Sequence, residues 1–536
     1  MLKRPVACLL GLASLAFAAN ELRFTLRSEP KTFDPLLVED ESSETIRYLT
    51  SGVLIRLNRY TQELDPELAI KWKVLDNGRR IDFDLRPNVR FSDGTPFDCE
   101  DVQFTMRRLM DPALHSPSGD VFRSSPGTVD TTCNGPYAAS VRFPGPIAGL
   151  ASQFDGVPML SSRSPRKEST VLGPFQLGQY KAGSFVLLER NANYWKKDAN
   201  GRRLPYLDSV RLEIQQNRDL ELLRFRRGEL DMVNKLDPDM YDRLSNEMPR
   251  AVVDAGPSLD SELIFFNQTP NAPLPDYKRR WFRSAAFRRA ISEAIHRDDL
   301  VRIVYKGHAR AAVGPVSSSN KFWLNTALKA PVYSVSGALE ELQRDGFHRS
   351  GNSLLDREGH KVEFSMITNA GSKVHERTLT LIQQDLTAVG IQLNLVTLDF
   401  PSLIERITRS FNYESVLMAL TNVGLDPNDQ MNLWLSSADN HQWNPNQKTP
   451  ETPWEAEIDK LMSAQNASQN PQQRKTYFDK VQQIVAEQAP MIFLVNPDAL
   501  SAVSPNLKNV TPALVRPQIY WNVERLSLGT GYLSQK

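Results

Sequence analysis

The sequence predicts an α/β protein built as two lobes around a hinged cleft. Three observations carry that prediction. Residues 362–398 read as strand, helix, strand, the order of a βαβ unit. Residues 262–267 (ELIFFN) and 491–495 (MIFLV) are short apolar strands far apart in the chain, and they read as two crossings between lobes. The length, 536 residues with 40% hydrophobic composition, exceeds what one core holds. Two crossings between α/β lobes make a hinge, and such a molecule closes around a ligand.

The first residues read as an export signal. Lys3 and Arg4 precede an apolar run over 6–16 that is too short to span a membrane, and Ala16-Phe17-Ala18 is a cleavage site. Residues 1–18 are therefore expected to be a signal peptide that sends the mature chain to the periplasm. Cys8 opens the apolar run rather than ending it, so no lipid anchor is expected. Removing Lys3 and Arg4 takes the formal charge from +1 to −1, which argues against a dedicated nucleic-acid binder. Cys99 and Cys133 then remain. An even pair in an oxidising compartment points to a disulfide, the alternative being two free thiols.

The elements follow in order. Residues 20–35 read as a strand and a Pro-bounded turn, and 43–57 as a helix. Asn77-Gly78 joins two alternating runs, a hairpin signal. Residues 99–110 carry Val102, Phe104, Met106 and Leu109 behind acidic residues, as a short capped helix does. Residues 111–170 are rich in Pro, Ser and Gly and read as loops. The runs FQLGQY and FVLLER flank Lys181 to Ser184 as a second hairpin, ending in Arg190-Asn191 and Tyr194-Trp195. A strand over 207–215 and a helix over 219–227 come next. Phe287, Ala290, Ile291, Ala294 and Ile295 recur at helical spacing. The βαβ unit has its helix over 376–389, closed by Gly390, and a long helix follows over 471–488. The resulting plan is a first lobe over 19–267 with an inserted subdomain near 45–170, a second lobe over 268–490, and a return to the first lobe over 491–536.

Three segments occur in a fixed order: VRFSDGTPFDCEDVQFTMRRLMDP, GPFQLGQYKAGSFVLLERNANYW and FRRAISEAIHRDDLVRIVYKGHARAAVGPV. Together they closely resemble the family 5 extracellular solute-binding proteins of ABC importers, the peptide and nickel binders. The resemblance extends to VGIQLNLVTLDFPSLIERI, LDPNDQMNLW and PQQRKTYFDKVQQIVAEQAPMIFLVNP, nearly the whole mature chain. It implies a type II-like periplasmic binding protein with a three-part α/β architecture. It also implies a monomer that captures a peptide or small-molecule solute and delivers it to a permease. By this resemblance Arg190 to Trp195 is scaffold.

Peptide-binding members resemble one another around W-x-x-D-x-x-D-P, whose first Asp pairs with the peptide's ammonium group. Counting back from Asp426-Pro427, this sequence has Val423 at that Asp and Leu420 at the Trp. Where some dipeptide binders carry an Arg, it offers Asn369. These departures leave open a peptide held by its backbone, or an oligosaccharide or other neutral solute. WLSSADNHQWNPNQ supplies the aromatic and amide groups a sugar site needs. The expected ligand-binding residues are Asn369, Asn422, Asp426, Asn428, Trp434 and Trp443, faced by residues 39–43 of the first lobe. The seven histidines include His115, His296, His308, His375 and His441, and none pairs at i, i+3 or i, i+4. No metal site and no cofactor are expected. A periplasmic hydrolase is the competing class, but no G-x-S-x-G, zinc signature or reactive cysteine supports catalysis. A secreted chaperone or signalling receptor would use the same cleft.

Overall fold

The computed structural model describes residues 20–114, 116–123, 126–166, 169–421 and 423–529. The expected signal peptide, His115 and Asn422 lie outside these residues.

The first lobe is organised by Glu21–Leu26, which pairs in parallel with Ser209–Ile214. Ser209–Ile214 pairs with Phe185–Arg190, and the hairpin to Phe175–Lys181 completes a four-stranded sheet. Its core joins Leu22, Phe24 and Leu212 to Val503, Ile519 and Val523, so both ends of the chain build one lobe. Arg190 holds the carbonyls of Leu207 (2.9 Å) and Tyr206 (3.0 Å), and Arg86 stacks 4.1 Å over the Trp195 ring. Arg190 and Trp195 thus brace the hairpin.

A second sheet, in the order Ala69–Leu75, Arg80–Leu85, Ala138–Arg142, Asp130–Cys133, has its own core around Phe83, Phe91, Phe122 and Phe154. The helix Cys99–Leu109 packs beside it, started by a reciprocal capping box between Asp98 and Asp101. Cys99 and Cys133 form a disulfide between that helix and the edge strand. The segment expected to be loops therefore contains two strands; Thr131 and Val141 alternate inward beneath its polar composition. The helix expected over 43–57 stops at Thr50, and Ile55–Leu57 is a strand. The backbone turns extended at Ser51 (φ −91, ψ 143), and Gly52 then lets the chain pass Leu172, where a Cβ would lie 2.5 Å from Leu172 Cβ.

In the second lobe Ser261–Phe266 lies between Met491–Val503 and Ser415–Leu420. Glu363–Asn369 pairs in parallel with Gln392–Leu398 across the helix Lys373–Ala388, the expected βαβ unit. Gly390 (φ +86) ends that unit's helix, where a Cβ would meet the Leu354 amide at 2.9 Å. The crossing differs in one respect from expectation. Met491–Val503 is a single long strand that pairs with Ser261–Phe266 over its first half and with Val252–Pro257 over its second. The connection between the lobes is thus a two-stranded ribbon, interrupted by a register shift between Asp254 and Pro257.

Candidate functional site: the interlobe cleft

A cavity of about 600 Å³ opens between the lobes. Its first-lobe wall comes from the start of the helix Glu41–Thr50, from Arg59 and Asp155, and from Arg516 and Tyr520 of the returning chain. The facing wall is Trp323 and the loop from Val423 to Asp429.

That loop is fixed from within. Asp426 caps the short helix Pro427–Gln430 by accepting from the Asn428 amide (2.9 Å), and Asp429 accepts from the Asp426 amide (3.2 Å). Arg474 grips both oxygens of Asp426, at 2.8 Å and 2.5 Å, and stacks 5.0 Å over the Trp323 ring. Only glycine fits at position 424, because a Cβ there would collide with the Asp429 carboxylate.

The charges of the first-lobe wall are mostly paired. Asp155 accepts from Arg59 (2.7 Å) and lies 3.7 Å from Arg56. Burial opposes its ionisation, but these two guanidiniums outweigh burial and hold Asp155 below the usual carboxylate range. Arg516 binds Asp260 (2.6 Å) and reaches Glu41 (3.4 Å), tying the returning chain to the ribbon.

Asp429 differs. It is exposed to the cleft, and among the described residues no cation stands within ion-pair distance of it. Crowding by the cleft walls, the neighbouring Asp426 and the more distant Asp155 disfavour its charge and outweigh the pull of Arg474. Its carboxyl is pushed up to about 7. Asp429 therefore presents to the cleft a carboxyl whose ionised form awaits a positive partner.

The expected ligand residues fall into different places. Asp426 lines the cleft, but its carboxylate is occupied by Arg474. Val423, at the position of the peptide binders' first Asp, also lines it. Asn428 is 4% exposed and turns away; its amide donates to the Ala148 carbonyl (2.8 Å) of the first lobe and its oxygen accepts from Gln465 (2.6 Å). Trp434 and Trp443 do not reach the cleft, a correction to the expected aromatic platform, for both rings are wholly buried in the second-lobe core. The cause is Glu455, a buried carboxylate accepting from Trp443 (3.1 Å), His441 (3.3 Å), Gln447 (2.8 Å) and Thr452 (2.7 Å). It draws the polar stretch inward. Asn369 is likewise not a lining residue. It contacts His375 (2.8 Å), which reaches Glu262 (2.9 Å) at the ribbon.

Sequence reasoning missed Asp155, Arg59, Arg516 and Asp429. The first three have no local signal, because residues far apart in the chain meet only in the fold. Asp429 had one: D-P-N-D is a capping-box spacing, which fixes two carboxylates on one short turn.

Residues 63–442 match the sequence profile of the bacterial extracellular solute-binding proteins, family 5, middle region. The chain is a member of that family. Among curated relatives of the binding protein is the oligopeptide-binding protein AppA of Bacillus subtilis, 23% identical over 504 residues, covering 90% of this chain and 87% of AppA. The glutathione-binding protein GsiB of Escherichia coli is 23% identical over 544 residues, covering 96% of both chains. Among solved structures, AppA in complex with a nonapeptide superposes with a TM-score of 0.77 at 22% identity, covering 95% of this chain and 99% of the other. NikA from Brucella suis in complex with Fe(III)-EDTA superposes with a TM-score of 0.80 at 18% identity, with the same coverage. These likenesses establish the two-lobed α/β fold.

Proposed function

We propose that the protein is the periplasmic substrate-binding component of an ABC importer. It acts as a monomer, closes its lobes on a peptide-like solute, and presents that solute to a membrane permease without chemical turnover. The observation that carries the ligand class is Asp429, a cleft carboxyl with no cationic partner, whose charge is disfavoured by Asp426 and Asp155. A solute ammonium group placed there gains a charge-assisted hydrogen bond in a partly desolvated site. The carboxylate that the peptide binders carry at the position of Val423 is thus supplied six positions later in the same loop. The printed names of AppA and GsiB, binders of oligopeptide and glutathione, support a peptide or peptide-related solute.

Closure follows from contacts to both walls. A solute whose ammonium group meets Asp429 while the rest of it touches the first-lobe wall gains most when the lobes are together, so the ligand biases the open-to-closed equilibrium. The test is calorimetric titration of the mature protein with short peptides bearing free or acetylated amino termini. Preference for the free amine, lost in Asp429→Asn, supports the assignment; equal binding of both peptide forms would overturn it.

A further inference from the structure

We infer that Asp254, His308 and Asp498 form a binding site for a divalent transition-metal ion of the zinc type, outside the solute cleft. The three residues are 54 and 190 positions apart in sequence, so no local spacing reveals them. The fold joins them at the ribbon. Asp254 stands on Val252–Pro257 where the register shifts, and Asp498 lies in Met491–Val503 opposite Pro257. His308 precedes Ala309–Ala311, whose first residue pairs with Pro497, and its carbonyl accepts from the Asp498 amide at 3.0 Å. One donor atom from each side chain lies within 4.8 Å of the other two.

The orientation of the imidazole is the stronger observation. His308 Nε2 is 3.3 Å from Asp242 Oδ1, while Nδ1 is 3.6 Å from Asp254 Oδ2. When Nε2–H donates to Asp242, Nδ1 carries a bare lone pair that faces a carboxylate. A metal ion between them, or a proton on Nδ1, removes that repulsion. The pairing with Asp242 is also the outer-shell contact that orients metal-binding imidazoles. Independently, Asp498 Oδ1 is buried with no hydrogen-bond partner. Among the described residues no lysine or arginine stands within ion-pair distance of Asp254 or Asp498. Lys306 binds Asp239 (2.6 Å) and Asp242 (3.1 Å), and Arg310, which donates to the carbonyls of Gly307 (3.3 Å) and Ala309 (2.9 Å), favours the Asp498 carboxylate only from longer range. One imidazole nitrogen and two carboxylate oxygens suit zinc and leave a position for water. The ion would pin the irregular part of the ribbon to the crossing strand.

The competing occupant of the gap is a proton on His308, and metal titration separates the two. EDTA-treated mature protein is titrated with Zn²⁺ by calorimetry and with Co²⁺ by visible absorption. The expected result is saturable uptake of one ion with ligand-field bands of a low-coordinate Co²⁺ site. Asp498→Asn and His308→Gln should each weaken Zn²⁺ binding by on the order of tenfold or more. Asp429→Asn should leave it unchanged. If Asp498→Asn fails to fold by circular dichroism, the exposed Asp254→Asn takes its place, since its amide oxygen can still accept from Gly256. Absence of saturable uptake overturns the proposal. So does wild-type affinity in the Asp498 or Asp254 variant, or loss confined to Asp429→Asn, which would put the ion in the cleft.

Discussion

Asp429 and Glu455 are both carboxyls of the second lobe, and their surroundings push them in opposite directions. Asp429 is raised to about 7 by desolvation and by Asp426, so its ionised form is lost as pH falls through that value. Affinity for an ammonium-bearing solute should therefore drop between about pH 7 and about pH 5, and Asp429→Asn should flatten that dependence. Titration at several pH values reads it directly. Glu455 is held at about 2: burial opposes its charge, but donors from His441, Gln447, Thr452 and Trp443 outweigh burial. A carboxyl lowered on folding stabilises the native state above its unfolded value of about 4.3, and that contribution is lost as pH falls toward about 2. Glu455→Gln, which presents an amide NH2 to groups that are already donors, should cost about 3 kcal/mol near neutral pH, measured by urea denaturation. The sequence shows the closeness of Asp426 and Asp429 through the D-P-N-D spacing, but not the cleft walls around Asp429 and nothing of the surroundings of Glu455. Trp434 and Trp443 beside polar residues suggested a platform, and only the position of Glu455 shows that the same groups satisfy one another inside a core.

At the scale of elements, periodic signals translated well. The βαβ unit, the helix Pro471–Gln488 and the two hairpins all form where local pattern placed them. The short strands inside Pro- and Ser-rich sequence, Asp130–Cys133 and Ala138–Arg142, did not show, because such strands owe their stability to neighbours rather than to propensity. One such strand, Asp130–Cys133, is tied to the helix Cys99–Leu109 by the disulfide across 34 positions. Replacing both cysteines by serine should cost about 3–4 kcal/mol in the chain-entropy account, read from the denaturation midpoint. The contact of Asn428 with Ala148 joins the two lobes. Asn428→Ala should cost about 1 kcal/mol, read from the denaturation midpoint, because that bond is lost and the buried Gln465 amide loses an acceptor.

For the whole molecule, the two-lobed plan was legible because the crossings leave short apolar runs, Leu263 to Phe266 and Met491 to Val495, in an otherwise alternating sequence. Ser261–Phe266 is buried at every position, as a central strand must be. The ligand class was less legible, since the expected carboxylate position holds Val423 and the substitute arises only when the loop folds. The central claim is that the cleft between the lobes recognises a peptide-like solute through a positive charge at Asp429. The most direct measurement is thermal unfolding of the mature protein, wild type and Asp429→Asn, against short peptides, their amino-acetylated forms and oligosaccharides. A ligand present at 100 times its dissociation constant adds about 2.7 kcal/mol to native stability, a readily visible shift. The account predicts stabilisation of the wild type by peptides with a free amino terminus and little by the other ligands or in the variant. Stabilisation by oligosaccharides alone, or equal stabilisation of both proteins by acetylated peptides, would contradict it.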